Sequence, residues 1–149
     1  MNRILLADGD AAIREALGGM LAAEGYDVAV ADTAADATAK VVTWRPELVL
    51  LDLNLPDQNN GSLINLIFNG KPLVPVITIT AISGQYERAA AQGVDALMEK
   101  PLDLPLLLQS IRSYLNESQK ERVRRLTRAG FKTAWLRHPP REIGPLPRP

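Results

Sequence analysis

Five short apolar runs, each followed by residues with helical periodicity, constrain this chain more than any other feature. They cover residues 4–7, 28–31, 48–51, 74–79 and 96–98. Most are apolar nearly throughout, the pattern of strands covered on both faces. Between the first two, Ile13, Leu17, Met20 and Leu21 fall on one helical face. Further helices are expected over 33–44, 62–68 and 85–91. The clearest is the last, where Leu104, Leu107, Leu108, Ile111 and Leu115 recur at helical spacing, with Asp103 placed to cap it and Pro105 in its first turn. Strand–helix alternation repeated five times predicts a five-stranded parallel sheet with helices on both faces. Right-handed crossovers make the doubly wound order the economical one.

Ligands of such sheets sit beyond the carboxyl ends of the strands. The residues standing there are Asp8, Gly9 and Asp10 after the first run, Asp52 after the third, Thr80 after the fourth, and Glu99, Lys100 and Pro101 after the fifth. Carboxylates and a hydroxyl, with no cysteine anywhere in the chain, suit a hard cation such as Mg²⁺ and exclude thiolate sites and disulfides. Lys100 suits phosphate oxygens as a point charge. Taken singly, each of these residues has an ordinary structural explanation. Two readings of "ADGD" therefore stand together: an acidic cation pocket, or a tight turn in which Asp10 caps the following helix.

The segments "ILLADGDAAIREAL", "PELVLLDLNLPD…NG", "VPVITITA" and "GVDALMEKPLDLPLLLQSI", in that order and spacing, resemble the receiver domain of two-component response regulators. The resemblance spans residues 2–116 and implies the flavodoxin-like order of strands. It implies that Asp52 is the phosphoacceptor, served by a sensor histidine kinase, a phosphotransfer protein or a small phosphodonor. Asp8 would belong to the Mg²⁺ pocket together with Asp52 and the backbone carbonyl of Asn54. Thr80 would turn its hydroxyl to the phosphoryl group, Lys100 would pair with its oxygens, and the Lys100–Pro101 bond would be cis. A protein of this kind accepts a phosphoryl group on itself, turns over no external substrate, and signals through contact with a downstream protein. The family often pairs through its fourth and fifth helices, which leaves a homodimer open.

The chain departs from the family pattern at three places. Gly9 stands where a second aspartate usually ligates the metal, so water or Asp10 must supply an oxygen and the Mg²⁺ site is expected to be weakened. Leu97 stands at the usual aromatic switch position, where it reads as plain packing; Tyr86 on the fourth helix is a candidate substitute. The loop "PDQNNG" is one residue longer than usual and the segment from Thr80 to Gly93 is shorter, so the fourth helix is expected to be trimmed. The alternative is thus a degenerate receiver, a protein-binding module that works without phosphorylation. A phosphatase with an aspartyl-phosphate intermediate is disfavoured, because Asp52–Leu53–Asn54 lacks the second acid of that chemistry.

Charge divides the chain. Residues 1–116 carry 8 Lys/Arg against 14 Asp/Glu and residues 117–149 carry 9 against 3, an acidic body of −6 and a basic tail of +6. The domain expectation is a receiver over 1–117 and a Pro/Arg-rich tail over 118–149. "SQKE" is a capping box for one short helix with Arg122, Arg124, Arg125 and Arg128 on a basic face. The residues after Gly130 read as extended or disordered, with no second helix for a helix-turn-helix, and His138 stands alone among prolines. Partner docking or self-packing is the preferred use of the tail, with Phe131 and Trp135 as anchors and nucleic-acid binding second. Only residues 4–7 are apolar before Asp8, too short for a signal-peptide core. No run reaches membrane-spanning length. The reading is a cytoplasmic protein.

Overall fold

The computed structural model describes residues 2–57, 60–70 and 73–137. The strands are β1 (Arg3–Ala7), β2 (Asp27–Ala31), β3 (Leu48–Asp52), β4 (Val76–Thr80), β5 (Ala96–Glu99) and β6 (Ala134–Trp135). The helices are α1 (Ala11–Ala23), α2 (Ala34–Trp44), α3 (Asn60–Phe68), α4 (Tyr86–Ala91), α5 (Leu104–Asn116) and α6 (Gln119–Thr127). All pairings are parallel and the order is β2-β1-β3-β4-β5-β6. The doubly wound parallel sheet is as expected, but the expected five strands become six. The extra strand comes from the tail, where no alternating run announces it. Ala134 and Trp135 are strand because the edge of β5 offers them backbone partners, a tertiary cause that periodicity does not carry.

The helices begin where their caps stand. Asp10, Thr33, Asp103 and Ser118 each accept a hydrogen bond from a backbone N–H in the first turn of the helix they precede. Strand β4 starts at Val76 rather than at Val74. Pro75 has no N–H to give the ladder, although its carbonyl still accepts from Val49 N at 3.0 Å. The sheet divides the core in two. Leu5, Val49, Leu51, Val76 and Leu97 pack with Leu63, Ile64 and Ile67 of α3 and Ala34 and Ala37 of α2 on one face. Ile4, Leu6, Leu48, Leu50, Ile77 and Met98 pack with Leu17 and Leu21 of α1 and Leu107 and Ile111 of α5 on the other. Central strands buried on both sides explain the unbroken apolar runs.

Helix α6 does not present the all-basic outer face expected of it. Arg122 is 3% exposed and donates to Leu73 O at 3.1 Å and Tyr114 O at 2.8 Å. Arg125 pairs with Asp95 at 2.6 Å and Glu117 at 2.9 Å and lies over the rings of Tyr114 and Phe131. Two of the four arginines therefore bolt the tail to the body, because a buried guanidinium must find acceptors and the loop carbonyls and acids of the body supply them. His138 and the proline-rich segment after it lie outside the described residues.

Candidate functional site

Strands β1, β3, β4 and β5 bring Asp8, Asp52, Thr80 and Lys100 to one end of the sheet, because in a parallel sheet all carboxyl ends share a rim. Asp8 and Thr80 are wholly buried, Asp52 is 7% exposed, and the Lys100 side chain is 14% exposed. Lys100 Nζ stands 2.9 Å from Asp8 Oδ2. That oxygen is buried and accepts no hydrogen bond among the described residues, so the ammonium is its compensation. Asp8 Oδ1 accepts from Asp10 N at 2.8 Å, and Arg14 reaches back from α1 to the Asp8 carbonyl at 2.7 Å.

The Asp52 carboxyl is held above the ordinary aspartate range, first by burial, then by the negative charge and contact of Asp8. The amide of Asn54, donating to Asp52 Oδ1 at 2.9 Å, and the charge of Lys100 pull it back. Two neighbouring buried carboxylates repel one another, and a hard cation relieves that repulsion. Asp8, Asp52 and a carbonyl at Asn54 fit Mg²⁺ as a set of oxygen donors that water must complete. No group of three or more acidic, histidine or cysteine side chains able to hold a metal occurs among the described residues.

Asp10 is not gathered with these residues. It is exposed, and its Oδ1 accepts from Ala12 N at 2.9 Å and Ile13 N at 3.4 Å as the cap of α1. Of the two readings of "ADGD", the turn with a helix cap holds for Asp10, which starts α1, while Asp8 lines the rim. Gly9 between them faces the ring of Pro56, where an added Cβ would lie 3.2 Å from Cδ and 3.3 Å from Cγ. Asn54 orients its side chain as well as its backbone, donating from Nδ2 to Thr80 Oγ1 at 3.1 Å. The Thr80 hydroxyl also accepts from Ile82 N at 3.1 Å. The Lys100–Pro101 peptide is cis.

Three residues at this rim escape a reading of the sequence. Arg88 of α4 donates to Leu53 O at 3.2 Å and Asn54 Oδ1 at 3.4 Å, tying α4 to the loop after the central aspartate. Asp57 accepts from Ala34 N at 2.8 Å and Ala35 N at 2.9 Å, so the same loop is clamped to the N-terminus of α2, and these amides hold its carboxyl below the usual range. Arg14 is the third. Its place one turn into the helix after a strand-end aspartate was the only signal available; Arg88 and Asp57 had none, since nothing local says which loop a helix start will meet. Tyr86 is turned to the tail: its hydroxyl donates to Thr133 O and its ring stacks on Trp135. Leu97 is fully buried in the core.

Known proteins resemble this chain in sequence and in fold. Response regulator MprA of Mycobacterium leprae is 29% identical over 143 residues, which cover 95% of this chain and 63% of that protein. The DNA-binding transcriptional regulator NtrC of Rhizobium meliloti is 33% identical over 119 residues, 78% of this chain and 25% of that protein. The chain therefore spans less than two thirds of either relative. A CheY-like response regulator receiver domain protein from Methanospirillum hungatei superposes with a TM-score of 0.73 at 31% identity, covering 82% of this chain and 98% of that one. Residues 4–112 match the response regulator receiver domain, and with the parallel sheet and its acidic rim this places the chain in the receiver-domain family of two-component response regulators.

Proposed function

We propose that this receiver accepts a phosphoryl group on Asp52, with Mg²⁺ held by Asp8, Asp52 and the Asn54 carbonyl, and passes the change on by protein contact. The observation that carries the reading is the meeting of Asp8, Asp52, Thr80 and Lys100 at one rim. There the central carboxyl is buried, crowded by a second acid, and steadied by the charge of Lys100 and the amide of Asn54. A carboxylate oxygen of Asp52 attacks the phosphorus of a phosphohistidine or a small phosphodonor. The bond from phosphorus to the donor breaks, and its electron pair leaves with the donor. Mg²⁺, when bound, neutralises charge on the transferring oxygens. Lys100 exchanges part of its pairing with Asp8 for those oxygens, and Thr80 gains a stronger acceptor than Ile82 O.

The donor protein is a sensor kinase or phosphotransfer protein, and the protein works in the cytoplasm; no helix among the described residues is long and apolar enough to cross a membrane. Protein contact is preferred to nucleic acid because Arg122 and Arg125 are committed internally, which removes half of the tail's expected basic face. Incubation with acetyl phosphate and Mg²⁺ should add one acid-stable, base-labile phosphoryl group to the wild type and none to Asp52→Ala. A wild type that gains no mass at saturating Mg²⁺ refutes the reading. One observation favours the alternative, a receiver that binds its partner without phosphate: with Gly9 in place, Asp8 already satisfies its buried oxygen with Lys100.

A further inference from the structure

At the amino ends of the strands, opposite the phosphoacceptor rim, a cavity of about 580 Å³ opens between the ends of α2 and α3 and the junction of α5 with α6. Its walls are largely apolar, with Val41, Val42, Leu66, Ile67, Leu73 and Leu115 among them. Val42 is 58% exposed, an apolar side chain that the fold leaves uncovered. Three guanidiniums and one carboxylate stand around this space among the described residues: Arg3, Arg45, Arg122 and Glu47. Two of the three cations are committed. Arg3 donates to Arg45 O at 3.0 and 2.9 Å and lies 3.8 Å from Glu47, and Arg122 donates to Leu73 O and Tyr114 O.

The Arg45 guanidinium has no hydrogen-bond or ion-pair partner among the described residues. Arg45 is also the one non-glycine residue among them at positive φ, +54. It ends α2 in left-handed backbone, where glycine is the usual and less strained choice. The fork of Arg3 on its carbonyl holds that turn in place. A cation is thus kept beside an apolar cavity at a position where the backbone alone favours glycine.

We propose that this cavity binds a small organic anion, an apolar body ending in a carboxylate. The apolar walls take the body, and the Arg45 fork takes the carboxylate through two parallel N–H groups. The volume falls within the range of small-molecule sites, about 300–1,000 Å³. The excess of guanidinium over carboxylate sets the sign of the ligand, since a cation would meet three like charges and one partner. The inference goes beyond the phosphoacceptor reading and stands without it, because the cavity shares no residue with the rim.

The test titrates the full chain with the fluorescent anion anilinonaphthalene sulfonate as probe. The probe should fill one saturable site, and octanoate should displace it about tenfold or more better than octanol, its uncharged analogue. Arg45→Gly removes the cation and suits the backbone, so it should weaken the probe about tenfold or more without lowering the melting temperature. Arg45→Lys, which keeps the charge, should lose less. Val42→Glu sets a carboxylate on the exposed wall and should also weaken binding in a protein that melts like the wild type. A wild type with no saturable site, equal displacement by octanoate and octanol, or Arg45→Gly binding within about threefold of the wild type overturns the proposal.

Discussion

Replacing Gly9 with aspartate would put a carboxylate beside Asp8 in the proposed Mg²⁺ pocket, and its two consequences have opposite signs. For metal affinity, losing even an outer partner of a ligand typically costs about 10–100-fold. Restoring a direct ligand should therefore tighten Mg²⁺ binding by at least that factor, about 1.4–2.8 kcal/mol. For the metal-free fold the change is unfavourable. The new Cβ lies 3.2 and 3.3 Å from the Pro56 ring, so the ring must give by a few tenths of an ångström. Its loop is pinned by buried Leu55 on one side and by the Asp57 clamp on α2 on the other. Crowding in a packed core costs about 1–3 kcal/mol and less here, where Gly9 and Pro56 are exposed. A third carboxylate pushes the Asp52 carboxyl further in the direction Asp8 already drives it. Gly9→Asp should thus melt below the wild type in EDTA and gain more than the wild type from added Mg²⁺. Gly9→Asn brings the same bulk without the charge and should show the loss alone. Calorimetric Mg²⁺ titration with urea melts separates the two quantities. If folded Gly9→Asp bound Mg²⁺ within threefold of the wild type, the glycine would not be the deficit of this site.

Asp52→Asn should stabilise the metal-free protein at neutral pH. A carboxyl raised by burial and by Asp8 favours folding fully only while protonated, so its stabilisation is lost as pH rises from about 4 through the raised value, and the variant's advantage should shrink as urea melts are taken down to pH 4. Arg122→Ala removes the guanidinium from the part-buried carbonyls of Leu73 and Tyr114, which keep Gln119 Nε2 and Glu117 N as donors, and should cost about 1–3 kcal/mol in urea denaturation, whereas no measurable loss would show that α6 is not anchored there. Arg88→Ala releases Leu53 O and Asn54 Oδ1 and should slow acetyl-phosphate labelling of Asp52 by about tenfold with the melting curve little changed; intact mass spectrometry against time reads this directly. Glu117, whose carboxyl is held down by hydrogen bonds from Arg125, supports the tail above its usual titration range. The support should fade as pH falls through the lowered value, seen as faster hydrogen exchange across α6 in acid.

The alternation of buried runs with capped amphipathic segments was enough to determine the layers, the parallel sheet and the rim that collects Asp8, Asp52, Thr80 and Lys100. Burial on both faces and side-chain capping are local consequences of residue order, and a parallel sheet can present its carboxyl ends at only one edge. Tertiary contact alone decided the rest. Asp10 became a cap, Arg88 met a loop and Asp57 a helix start far from them in sequence, and Arg122 and Arg125 turned inward to acceptors on the body. Ala134 and Trp135 became a sixth strand by borrowing an edge that β5 had open. A guanidinium, a short polar side chain or an unpatterned pair of residues carries no periodicity. What each does depends on which partner the folded chain brings within hydrogen-bond reach.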